Sequence, residues 1–101
     1  MPQQASCPLA RAAAIVGSRW TLLILRDLSG GSRRFGELQA SLEGISPKTL
    51  SDRLKTLERQ GVVRRSEYRG APVRVMYELT VKGKGLLPVL DSLRTYGETY
   101  L

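Results

Sequence analysis

The 101-residue chain is long enough for one small domain; 42% of it is apolar and 25% charged, ordinary globular proportions that exclude disordered, collagen-like and disulfide-built classes. It has no histidine and one cysteine, Cys7, which removes the usual general base, histidine metal ligands, thiolate clusters and any internal disulfide. The formal net charge is +7, and residues 33–74 hold ten Lys/Arg against five Asp/Glu, so +5 lies in the middle of the chain and +2 on the rest; such a patch draws a phosphate backbone, an anionic membrane surface or an acidic protein.

The start, MPQQASCPLA, lacks a basic and then apolar leader pattern, and no apolar run approaches the roughly 18 residues of a spanning helix. We therefore expect a cytoplasmic protein with no membrane partner. A first helical stretch is expected from Leu9 to Leu28, broken at Gly17-Ser18 into two pieces, with Ser18 able to cap the second. In that second piece Trp20, Leu23, Ile24 and Leu28 share one face, which predicts a core position for Trp20, and Gly30-Gly31 ends the helix. Arg33-Arg34 precede a short helix from Phe35 to Leu42, with Phe35, Leu38 and Leu42 at helical spacing, and Glu43-Gly44-Ile45 makes a tight turn.

Ser46 is a good N-cap, and Pro47 suits the first helical position, where its missing N–H costs nothing. Leu50, Leu54 and Leu57 then give a buried stripe that runs until the helix ends near Gly61. Two strands follow, Val62 to Tyr68 and Val73 to Leu79, the second alternating Val73, Val75, Tyr77 and Leu79 with Arg74, Met76 and Glu78; Arg69-Gly70-Ala71-Pro72 is the hairpin tip. A last helix from about Lys82 onward presents Leu86, Leu90, Leu93 and Tyr96 or Tyr100, with Pro88 tolerable in its first turns. The expected fold is mainly α with a small β-hairpin, an α+β winged helix-turn-helix spanning residues 1–101 as one domain.

Two helices joined by a short glycine-containing turn let the second project into a major groove about 12 Å wide while the first crosses the backbone. With the leucines inward, Lys48, Asp52, Lys55 and Arg59 face outward, flanked by Thr49, Ser51 and Thr56. Asp52 can accept from a cytosine amine or pair with a neighbouring cation, and pairing is the commoner fate of a helical surface carboxylate. On the hairpin, Arg69 suits a minor groove, while Arg64, Arg65 and Arg74 suit either DNA or the charged blunting of an exposed strand edge. The expected contacts with double-stranded DNA are thus Arg34 ahead of the short helix, Ser46, Pro47, Lys48, Thr49, Ser51, Asp52 and Lys55 on the capped helix, and Arg69 and Gly70 at the tip. No phosphate-cradling glycine loop is present, so neither a cofactor nor an enzymatic reaction is expected; a winged helix that docks proteins without DNA is the alternative.

Several segments resemble the HxlR family of regulators: Cys7-Pro8-Leu9, residues 15–25 (IVGSRWTLLIL), Arg34-Phe35-Gly36-Glu37-Leu38, residues 44–50 (GISPKTL), residues 54–58 (LKTLE), residues 61–65 (GVVRR) and Tyr77-Glu78-Leu79-Thr80. The resemblance covers nearly the whole chain, and Ala71-Pro72-Val73 departs from it where the family often carries a second proline. It implies a homodimeric bacterial transcription factor joined through its first and last helices, with Ser46 to Gln60 as recognition helix and Arg69 to Pro72 as wing tip. It further implies that Cys7 can act as a redox or electrophile sensor. Reactivity requires the thiolate, and the nearest cation in sequence is Arg11; the alternative is that Cys7 is a small apolar residue packed in the dimer contact.

Overall fold

The computed structural model describes residues 7–101. Six helices and one hairpin follow in the order α1 Pro8–Val16, α2 Arg19–Leu28, α3 Phe35–Ser41, α4 Pro47–Arg59, β1 Val63–Tyr68, β2 Arg74–Leu79, α5 Val81–Lys84 and α6 Leu87–Tyr100. No single helix among them is long and apolar enough to cross a membrane.

The break at Gly17-Ser18 turns the chain by 79° between α1 and α2. Ser18 occupies the N-cap position of α2 with extended backbone, yet its hydroxyl makes no capping bond. Helix α2 carries the centre of the core, burying Thr21, Ile24, Leu25 and Leu28. Trp20, expected in the core, instead lies half-buried at its margin, with the Arg19 guanidinium 4.9 Å above its ring. The inward line of this ten-residue helix runs through Ile24 and Leu25, which puts Trp20 one edge away.

Helix α3 starts with half of a reciprocal cap: the Arg34 amide donates to Glu37 Oε1 at 2.8 Å, an arginine side chain being unable to accept the other half. Leu38, Leu42 and Ile45 close its buried side, and Gly44 takes φ +89° in the turn, a conformation glycine adopts without steric cost. Helix α4 then buries Leu50, Leu54 and Leu57 as the leucine spacing requires.

β1 and β2 pair antiparallel, with Val63 opposite Leu79 and Tyr68 opposite Arg74. A third chain segment joins them: Arg33 and Tyr77 exchange both backbone hydrogen bonds, at 2.9 and 2.8 Å. Val73, expected as the first residue of the second strand, lies outside β2 and is exposed at the tip. The expected single C-terminal helix is divided. Thr80 Oγ1 accepts from the Gly83 amide and caps the four-residue α5, after which Gly85 and Leu86 redirect the chain into α6. Only Leu90 of α6 is buried against the rest of the chain.

Candidate nucleic-acid interface

Helix α4 is built to stand proud of the core. Ser46 Oγ accepts from the Thr49 amide at 3.0 Å and donates to Thr49 Oγ1 at 2.9 Å, so the cap hydroxyl is fully engaged in fixing the first turn. With the three leucines buried, Lys48, Asp52, Lys55 and Arg59 are exposed, and Thr49, Ser51 and Thr56 lie half-buried on the flanks, as the helical projection predicts. Pro47 is exposed at the first helical position.

Asp52 takes the pairing role. Its carboxylate receives Lys48 Nζ at 3.0 Å, one helical turn away, and that hydrogen bond, aided by the charges of Lys48, Lys55 and Arg53, holds its pKa below the ordinary carboxylate value. Thr56 Oγ1 donates back to the Asp52 carbonyl and accepts from Arg59 at 3.0 Å. Lys55 makes no such bond among the described residues and is the outward cation at the middle of the helix. Arg53, absent from the expected set, is also exposed on α4. At 100° per residue it falls near the edge of the leucine stripe, where a short side chain would be covered and a long guanidinium reaches water.

The hairpin sorts its arginines by partner. Arg64 stands opposite Glu78 in register and donates two bonds to Glu78 Oε1, at 3.0 Å from Nε and 2.6 Å from Nη2. Arg65 bonds Glu67 at 3.1 Å. Both arginines are thus held in the charged form and occupied by strand carboxylates. Arg69 and Arg74 form no ion pair among the described residues and flank the tip, where they line a shallow hollow of about 300 Å³ with Gly70, Ala71 and Pro72. Arg74 therefore joins Arg69 as a free cation of the wing. Arg34 is exposed at the start of α3.

A capped helix with an exposed basic and hydroxylic face, presented by a helix-turn and followed by a hairpin with a cationic tip, is the plan of a winged helix-turn-helix. The model of the HxlR-like helix-turn-helix matches residues 15–101. The chain belongs to the HxlR-like helix-turn-helix family. Among relatives of this HxlR member, the Bacillus subtilis (strain 168) HTH-type transcriptional regulator YvaP is 41% identical over 102 residues, covering all of this chain and 94% of YvaP. A transcriptional regulator of the MarR family from Porphyromonas gingivalis W83 superposes with a TM-score of 0.88 at 37% identity, over 94% of this chain and 93% of that one. The B. subtilis regulator YodB, solved in reduced and diamide-treated forms, gives TM-scores of 0.83 and 0.78 at 36% identity, over 93% of this chain and 93% and 94% of those chains.

Cys7 lies at the N-cap of α1 and is exposed; its carbonyl accepts from the Arg11 amide at 2.9 Å. Arg11 therefore lies one helical turn beyond Cys7.

Proposed function

We propose that this HxlR-family protein is a homodimeric transcriptional regulator whose two α4 helices enter successive major grooves of an inverted-repeat operator, assisted by the two wings. The observation that carries the reading is the division of charge on the reading surface: Arg64 and Arg65 are paired within the hairpin, whereas Lys55, Arg69 and Arg74 are exposed and form no ion pair among the described residues. Lys48, Thr49, Ser51 and Lys55, with Ser46 and Pro47 setting the approach of the first turn, are the candidates for base edges and adjoining phosphates. Arg34, Arg69, Gly70 and Arg74 are candidates for backbone and minor-groove contact.

Dimerisation is supported by what the single chain leaves uncovered. Helix α1 buries none of its residues, and Leu9 is 77% exposed. Helix α6 exposes Leu93 at 49% and Tyr96 at 57%, Tyr96 being tilted against Tyr100 with ring centroids 4.9 Å apart. Two terminal helices that leave Leu9, Leu93 and Tyr96 largely uncovered by the described residues fit a second copy of the chain. In this reading residues 1–101 act as one domain whose ends form the dimer contact, residues 1–6 lying outside the described structure, and the protein works in the cytoplasm as a binding protein.

The regulator is also oxidant-responsive through Cys7 in this proposal, on the strength of that cysteine's exposure at the head of α1 and of the likeness to YodB. Diamide would take two hydrogens from a pair of Cys7 thiols, one from each protomer, leaving a disulfide and the reduced hydrazine, and would thereby shift α1 and the spacing of the recognition helices.

Selection of bound duplexes from a random pool, followed by salt titration of the selected site, tests the DNA reading. An inverted repeat with a steep salt slope is expected; no selected sequence and no salt-dependent binding would leave a protein-docking module. Sedimentation at micromolar concentration should give a dimer, and monomer alone, with and without DNA, would overturn the assembly. Diamide should change operator affinity in the parent and leave Cys7→Ser unchanged.

A further inference from the structure

The link between α4 and the wing consists of Gln60, Gly61 and Val62 alone. Its amides all turn back to end the helix: Gln60 donates to the Thr56 carbonyl, Gly61 to that of Glu58 and Val62 to that of Leu57, each at 3.0 Å, with Gly61 at φ +74°. Its carbonyls are all taken by the segment that leaves β2. Lys82 Nζ donates to the Gln60 carbonyl at 2.6 Å, Thr80 Oγ1 to the Gly61 carbonyl, and the Thr80 amide to the Val62 carbonyl at 3.1 Å. Every backbone group of the link is therefore bonded, and α4 cannot turn against the hairpin without breaking a bond.

The two residues that hold these carbonyls stand apart from the reading surface, belonging neither to α4 nor to the wing tip. Thr80 Oγ1 also accepts from the Gly83 amide at 3.1 Å, so its hydroxyl is engaged as donor and as acceptor. Lys82 is exposed, and its δ-carbon lies 3.8 Å from where a β-carbon on Gly61 would stand. Its ammonium ends on the carbonyl that closes α4, the end of a helix at which the dipole favours a cation.

We propose that Thr80 and Lys82 are positioning residues for operator recognition: they touch no DNA and hold α4 and the wing at one angle, so that helix and wing meet the same half-site together. This rests on the DNA-binding reading above. Two contacts on one rigid body reinforce each other, whereas across a loose joint the second contact must first order the joint. Lys82 thus governs how much Arg69 contributes to binding, although the two share no partner among the described residues.

A double-mutant cycle tests the coupling. Affinity for the selected operator at fixed low salt is measured in the parent, Lys82→Met, Arg69→Ala and the double variant, methionine keeping the apolar stem and losing the donor. Arg69→Ala should weaken parental binding about tenfold, and at least about threefold less than that in Lys82→Met, while Lys55→Ala should cost the same in both backgrounds. Thr80→Val should behave as Lys82→Met, and Thr80→Ser, which keeps the hydroxyl, as the parent; if Thr80→Val does not fold, the lysine cycle decides. A lysine that only touched a phosphate would lower affinity and leave the cost of Arg69→Ala unchanged. One that only stabilised the fold would lower the melting temperature and leave that cost unchanged too, and either result overturns the proposal. The free protein supplies a readout without DNA: amide dipolar couplings of α4 and of the hairpin should fit a single alignment in the parent, with the hairpin less strongly aligned than α4 in Lys82→Met. That loosening with no duplex bound by the parent would sink the DNA reading and leave the joint standing; duplex binding with additive costs and unaltered couplings would do the reverse.

Discussion

Gly83 packs against the carbonyl of Val62 so closely that a β-carbon on Gly83 would collide with that oxygen, and it would press on Leu79 as well. The same carbonyl accepts from the Thr80 amide at 3.1 Å, and Lys82 Nζ reaches the Gln60 carbonyl at 2.6 Å. These bonds clip α5 onto the joint between the recognition helix and the wing.

Gly83→Ala should therefore destabilise the protein by about 1–3 kcal/mol, the usual cost of forcing atoms into a filled space. Gly36→Ala is the control: its β-carbon would meet nothing within 4 Å, and it should stabilise α3 by about 0.4–1 kcal/mol. Urea unfolding midpoints check both, and an unaltered midpoint for Gly83→Ala would contradict the close approach.

Acid should weaken the hairpin through Glu78. The Arg64 hydrogen bond, with help from its charge and from Ser32, holds the Glu78 carboxyl below its ordinary value of 4.5. The folded state thus binds fewer protons than the unfolded state as pH falls below that value, so this contribution to stability is complete above it and is lost as pH falls through the folded pKa. Melting temperatures recorded from about pH 6 to about pH 3 should fall less steeply in Glu78→Gln than in the parent. Parallel curves would detach the Arg64 pair from stability.

Asp52→Asn separates pairing from base reading. If its carboxylate serves to hold Lys48, the amide releases that ammonium toward DNA and removes a repelling charge, so affinity for all duplexes should rise severalfold and steepen with salt. A drop confined to duplexes with one particular base pair would assign Asp52 to a cytosine instead.

The helix and the wing should fail differently. Lys55→Ala should cost roughly 1–3 kcal/mol on the selected operator and relax preference at one position. Arg69→Ala should weaken every duplex alike and reduce the magnitude of the salt slope by about 1. Competition binding with point-changed operators at several salt concentrations separates the two, and a base-specific defect in Arg69→Ala would reverse the assignment.

Local signals account for what sequence alone revealed. Ser46, Pro47 and the leucines at 50, 54 and 57 determine cap, start and inward face of α4 within one helix, and the flanking and outward positions other than Arg53 then follow from geometry. Part of what escaped depends on partners distant in sequence. The half-buried rank of Trp20 is set by which elements happen to cover α2, and the pairing of Arg64 with Glu78 depends on hairpin register. The division of the last helix follows from Thr80 capping against Gly83, a signal present in the sequence but masked by the longer apolar period of Leu86, Leu90 and Leu93. Arg33 carries no periodic signature that would announce a strand.

That short Arg33–Tyr77 bridge has a consequence for how the molecule opens. Between its two ends lie all of α3, α4 and β1, so the paired backbone bonds close a loop around the reading surface. Helix α4 cannot detach from the wing without breaking the seam or emptying the core beneath its leucines, and the two losses come together. Slowly exchanging amides of α3, α4 and β2 should accordingly share one opening free energy, distinct from the lower one of α1, making the reading surface a single cooperative unit.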